Sequence, residues 1–156
     1  MIGLPRVLAA AFVLVAVPPT LRAQGDSLAP PRSQQQLAER YRRAHAEHNV
    51  EAIKRLVYWG ASTERTRTLV SSFIEHDVTN ALLRVSVVGL DPSDRVEYTQ
   101  DGVTYRMTLP PTAKLRLDFV PRSAHGGTYK SEQTSYFIGA RNGEYWLVTA
   151  EPVPRL

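Results

Sequence analysis

Residues 69–87 read LVSSFIEHDVTNALLRVSV, and within this stretch the spacing of the apolar residues changes. Up to Asn80 they recur every three or four positions. Leu69, Val70, Phe73, Ile74 and Val78 form one stripe, as on an amphipathic helix. Beyond Asn80 the period falls to two. Leu83, Val85 and Val87 alternate with Arg84 and Ser86, as on a strand with one buried face. Helices therefore precede this point and strands follow it.

Working outward toward the amino terminus, Ser62 or Thr63 caps the helix that carries the stripe. A short helix before it buries Ala52, Ile53, Leu56 and Val57 and is stopped by Gly60, just past Trp59. The first helix starts at Ser33, repeats Leu37, Tyr41, Ala44 and His48 along one face, and is punctuated by Asn49. Toward the carboxyl terminus, Asp91-Pro92-Ser93-Asp94 makes a turn. Val96 and Tyr98 then lead into Asp101-Gly102, a two-residue hairpin signal, with Val103, Tyr105, Met107 and Leu109 on the return strand. Pro110-Pro111 breaks that strand. Leu115, Leu117 and Phe119 next alternate with Lys114, Arg116 and Asp118, and a last hairpin turns at Asn142-Gly143 between residues 136–140 and 145–148. The pattern is α+β: three N-terminal helices, then five to six antiparallel strands, with the helices on one face of the sheet.

The 156 residues suffice for one domain, and 43% hydrophobic content is ordinary for a packed body. Arg6, the apolar run VLAAAFVLVAV at 7–17 and the breaking pair Pro18-Pro19 have the layout of a cleavable signal peptide ending at Ala23. Eleven apolar residues make a helix of about 16 Å, against about 30 Å of hydrocarbon in a bilayer, which favours cleavage over anchoring. The expected division is a signal peptide at 1–23, a flexible linker at 24–33 and a single domain at 34–156. Cysteine is absent, which removes disulfides, thiolate chemistry and a lipid-bearing cleavage site. The expected product is an exported bacterial protein, periplasmic or secreted, with no membrane anchor after cleavage. Arg6 and Arg22 fall in the leader while all 15 acidic residues follow it, so the mature chain is close to neutral. Nucleic acid is not an expected partner, because its binders gather a strong basic excess on one face.

The stretch LAERYRRAHAEHNVEAIKRLVYWG at 37–60, a first helix ending in His and Asn followed by a short helix closing on an aromatic residue, resembles the start of nuclear transport factor 2-like domains. The order of elements across the chain is similar to theirs as well. The resemblance implies a cystatin-like α+β roll, in which a helical hairpin and a third helix pack on a strongly curved antiparallel sheet. That superfamily includes isomerases, cyclases, dehydratases, ligand binders and non-catalytic partners, so the fold implies no single activity. Its isomerases use a buried carboxylate base opposite a tyrosine donor. No motif in this chain assigns that pair to positions, and no catalytic residue is carried over.

Candidate chemistry is sparse. In HAEH, His45 and His48 stand three apart on a helix and would share a metal only if His76 or Asp77 supplied a third ligand. The plainer reading ends the core stripe at His48 and leaves His45 and Glu47 in solvent, with no metal and no cofactor expected. Asp118 would serve as a base beside Tyr105 or Tyr136 if its face of the strand were interior, but Lys114 and Arg116 share that face. The residues that would line a pocket for a flat apolar ligand are Tyr41, His48, Trp59, Tyr98, Tyr105, Tyr136 and Trp146, although half-buried strands favour aromatic residues in any case. No phosphate loop, G-x-S-x-G or H-E-x-x-H is present. The expectation is a non-catalytic exported domain that binds a small apolar ligand or a protein partner, with a homodimer through the open sheet face as a further expected partner. A small cofactor-free lyase or isomerase, with a carboxylate or His inside the roll, is the alternative. A structural accessory to an envelope assembly is the third reading.

Overall fold

The computed structural model describes residues 29–120 and 132–154. The leader, residues 24–28 of the linker and the glycine-bearing loop at 121–130 lie outside them.

Each helix starts on a side chain that accepts an otherwise orphaned backbone N–H. Ser33 accepts from Gln36 to start α1 (Gln34–Ala46), Asn49 from Ala52 to start α2 (Val50–Lys54), and Thr63 from Thr66 to start α3 (Glu64–Val78). The spacing predicts a longer α2 running to Gly60. Instead the helix ends at Lys54, with Arg55 as its cap, because Leu56 and Tyr58 are tied to the last long hairpin: the Leu147 N–H donates to the Leu56 carbonyl and the Tyr58 N–H to the Leu147 carbonyl. Backbone pairing with another element outcompetes continuation of a short helix there.

The strands are β1 (Leu82–Val88), β2 (Glu97–Gln100), β3 (Val103–Met107), β4 (Pro111–Phe119), β5 (Gln133–Arg141), β6 (Glu144–Leu147) and β7 (Ala150–Pro152). They form a four-stranded sheet in the order β1-β4-β5-β6 and a three-stranded sheet in the order β2-β3-β7, antiparallel throughout. The result is α+β, three helices with a curled antiparallel sheet. Two expectations are corrected. The helices occupy the middle of the chain, 34–78, and seven strands in two sheets replace one sheet of five to six. The break lies after Leu147, where the chain leaves β5 and goes on to pair with β3. Three residues, Ala-Glu-Pro, are too few to show an alternating pattern. Both hairpin turns form as expected, with Asp101 and Gly102 at φ 51° and 73° and Asn142 and Gly143 at 53° and 74°.

Leu37, Tyr41 and Ala44 of α1 meet Ile74 and Val78 of α3 and the inward row Ala113, Leu115, Leu117 and Phe119 of β4 in one core. Two expected stripes hold in part: Val70, Ile74 and Val78 of α3 and Val85 and Val87 of β1 pack on the core, while Leu69, Phe73 and Leu83 do not. On α3 the buried positions are Thr66, Ile74, Asp77 and Val78, while Leu69 and Phe73 are each 53% exposed. On β1 the register shifts between Leu82 and Arg84, so Leu82, Val85 and Val87 pack on the core and Leu83 is turned out, 68% exposed.

Candidate functional site

The most polar part of the core is built by three elements. Tyr41 and His45 stand four apart on α1 and share its inward face, their rings 6.3 Å apart. Asp77 enters from the last turn of α3. Tyr136 enters from β5, directly opposite Leu115, and therefore on the inward face of the sheet. Tyr41 is fully buried, and His45 and Asp77 are only 4% and 5% exposed.

The Tyr136 hydroxyl donates to Asp77 Oδ2 at 2.5 Å. His45 Nε2 lies 3.1 Å from the Asp77 backbone carbonyl. A carbonyl oxygen only accepts, so Nε2 carries the proton. Burial pushes the Asp77 carboxyl above the ordinary aspartate range, and the hydrogen bond from Tyr136 and the nearby His76 and His45 pull the other way without cancelling it. Both phenols are pushed well above ordinary tyrosine, chiefly by burial, so neither ionises under ordinary conditions. The Tyr41 ring is 6.2 Å from that of Tyr136, yet its hydroxyl, alone among the buried polar side-chain atoms described, makes no hydrogen bond.

His45, though buried, also borders a cleft. It forms part of the wall of a half-open cleft of about 420 Å³ between the end of α1 and the start of β1. Arg42, His48 and Arg84 give this cleft a basic rim, and Ala46, Leu82 and Val85 an apolar lining that contains no acidic side chain. Asp77 meets His45 only from behind, through its carbonyl. The arrangement can hold an amphipathic group at its surface and keeps a protonatable carboxyl just beneath.

The seven candidate aromatic and imidazole side chains fall in several places. Tyr41 and Tyr136 meet in the core. His48, turned to φ 51° just past α1, is exposed at the cleft rim. Trp59 is half-buried and donates its ring N–H to the Lys54 carbonyl at 2.8 Å. Tyr98 and Tyr105 stack on the small sheet with centroids 5.4 Å apart. Trp146 packs edge-on against Tyr58.

The two histidines exchange their expected places, since His45 is buried and His48 is not. The helix gives way to a turn after Ala46, so His48 never completes the stripe. Among the described residues no three His, Asp or Glu side chains gather as a metal site requires. Asp118 does not fit a base of raised pKa. Arg116 and Arg84 each hold it at 2.9 Å, and their hydrogen bonds keep its carboxyl below the usual range. Asp77, the carboxylate that Tyr136 does meet, carries a legible signal: it lies three positions after Ile74 and seven after Val70, an acid on a core face.

No family model matches the chain, and neither a characterised protein nor a solved structure is similar enough to it to count as a match.

Proposed function

We propose that this chain is an exported, non-catalytic binding domain with a cystatin-like roll of the nuclear transport factor 2-like type. In this reading the cleft between α1 and β1 takes up a small apolar or amphipathic ligand or a segment of a partner. The observation that carries it is the cleft itself: about 420 Å³, apolar within and basic at the rim, is a volume that suits a small ligand group. Three helices on a curled antiparallel sheet support the proposed fold type. Ala46→Trp tests the reading, because Ala46 is exposed at the end of α1 and a large side chain there fills the cleft without entering the core. Binding of a small apolar acid such as hexanoate, followed by amide chemical shifts at residues 81–85, is expected for the parent chain and not for the variant. Shifts confined to other residues, or unchanged in the variant, end the proposal. Export is tested by N-terminal sequencing of the released protein, expected to begin near Gln24; a start at Met1 rules cleavage out.

The Asp77–Tyr136 pair favours a second reading, a cofactor-free lyase or isomerase in which the Asp77 carboxyl moves a proton. Deuterium wash-in from solvent into small carbonyl compounds, lost in Asp77→Asn, is its expected sign. Absence of wash-in in the parent chain leaves the binding reading alone.

A further inference from the structure

We propose that the cleft between α1 and β1 takes a small neutral molecule with an apolar body and one O–H donor, a phenol by class, and that the donor binds His45 Nδ1. This rests on the binding reading above and names the ligand class for it. The proton of the His45 ring is placed from behind, since Nε2 lies 3.1 Å from the Asp77 carbonyl, which only accepts. In the neutral ring Nδ1 then carries a lone pair and no proton, and it is purely an acceptor. Among the described residues nothing donates to it. Yet every fully enclosed side-chain nitrogen or oxygen described has a partner except the Tyr41 hydroxyl, so Nδ1 is reached from outside. His45 is 4% exposed and borders this cleft, which is the way in.

The acceptor is held still. The rings of Tyr41 and Phe119 lie 6.3 and 6.2 Å from the imidazole, and Nε2 is tied to α3. A ligand thus meets an oriented group and loses little to ordering it. The rest of the wall decides the class. Arg42 and Arg84 are each taken up by a carboxylate, Glu39 and Asp118, so neither is left to select an anion. Asn80, the other buried polar side chain on this wall, donates its amide to the His76 carbonyl. Ala46, Leu82 and Val85 are apolar. A ligand atom facing Nδ1 must donate, because a carbonyl, ether or carboxylate oxygen there would set acceptor against acceptor. The half-open space of about 420 Å³ accommodates a single ring beside that contact. Hexanoate, by contrast, enters by its alkyl tail and leaves Nδ1 unmet.

The test uses the purified full chain with p-cresol and with 4-methylanisole, which keeps the ring and the oxygen and lacks the O–H. NMR follows the ring nitrogens of His45 and the amides of residues 81–85. The nitrogen shifts of the free chain are expected to show the proton on Nε2. p-Cresol is expected to move the amides and to shift Nδ1 upfield, as an accepted hydrogen bond does. The ether is expected to leave Nδ1 in place and to bind about fivefold to tenfold more weakly. In His45→Phe the two are expected to bind alike. That variant also strands the Asp77 carbonyl, and if it does not fold, the Nδ1 shift in the parent chain decides alone. A proton on Nδ1 in the free chain, an Nδ1 that p-cresol does not move, or equal binding of cresol and ether overturns the proposal. If hexanoate shifts residues 81–85 while p-cresol spares them or binds no better than the ether, the donor proposal fails and the cleft reading stands. If none of the three shifts them, both fail.

Discussion

Tyr41 and Tyr136 carry the same hydroxyl group in nearly the same place with opposite expected consequences. The Tyr136 hydroxyl is the donor to a buried carboxyl that Thr134 also meets, so Tyr136→Phe removes one of two side-chain partners of Asp77 and is expected to cost about 1–3 kcal/mol in chemical denaturation. The Tyr41 hydroxyl is buried without a hydrogen bond, so Tyr41→Phe removes an unmet polar group and is expected to be neutral or stabilising by up to about 1 kcal/mol. A second prediction concerns pH. The Asp77 pKa is raised in the folded state, so the folded chain holds this proton over a range in which the unfolded chain has released it. Its contribution is full below the ordinary aspartate value and is lost as pH rises through the raised value. Asp94 and Asp118 behave oppositely: ion pairs with Lys114 and with Arg116 and Arg84 lower their pKa values, so their contribution is present above the ordinary value and fades as pH falls. Asp77→Asn keeps an acceptor for Tyr136 and is expected to flatten only the first of these trends. Urea midpoints measured across the acid range check this, and an unchanged slope above the ordinary aspartate value counts against a raised Asp77.

At the scale of elements, β5 crosses the chain that links β3 to β4 and the one that links β6 to β7 at Gly139. A Cβ there would lie 2.8 Å from Leu109 Cβ and 2.8 Å from Val148 Cγ2, with the Pro110 carbonyl at 3.1 Å. Those neighbours are backbone or short side-chain atoms that cannot swing away. Gly139→Ala is therefore expected to destabilise by about 1–3 kcal/mol, read as a lower thermal midpoint. On α3 the setting of the helix about its axis makes a contrary prediction. Replacing the exposed Leu69 and Phe73 together by Ser and Gln is expected to change stability by about 0.5 kcal/mol per site or less, although the sequence marks both as core. A large loss in the double variant would mean that this face is covered in solution.

The whole molecule divides unevenly. The continuous core joins the three helices to β1, β4, β5 and β6, and none of its fully buried members comes from β2, β3 or β7. The three-stranded sheet is held by its own ladder, by the stacked Tyr98–Tyr105 pair and by the Thr108–Thr149 hydrogen bonds at the bend. Native-state hydrogen exchange is expected to show β2 and β3 opening at lower free energy than β4 and β5, as a sub-global unit. Exchange of all strands at one common free energy would show that the two sheets unfold together.

What the sequence determined by itself is what local chemistry controls. The switch in apolar period near Asn80, the caps of α1 and α3 and the two positive-φ hairpin turns each depend on residues within a few positions of one another and were legible. So was β4, whose inward row is regular enough to survive any context. Asn49, by contrast, reads in the sequence as the end of α1 and not as the cap of α2. The tertiary structure decided what depends on partners far away in the chain. The pull of Leu147 on Leu56 and Tyr58 shortens α2, and the slip between Leu82 and Arg84 turns Leu83 outward. The setting of α3 about its axis puts Asp77 inside and Leu69 outside, because a helix with apolar residues on two adjoining faces shows only a broad stripe and its neighbours select the buried half. The candidate site followed the same rule. Tyr41 and Tyr136 stood out as aromatics, but 59 residues separate Tyr136 from Asp77, and only the packing of β5 against α3 joins phenol to carboxyl.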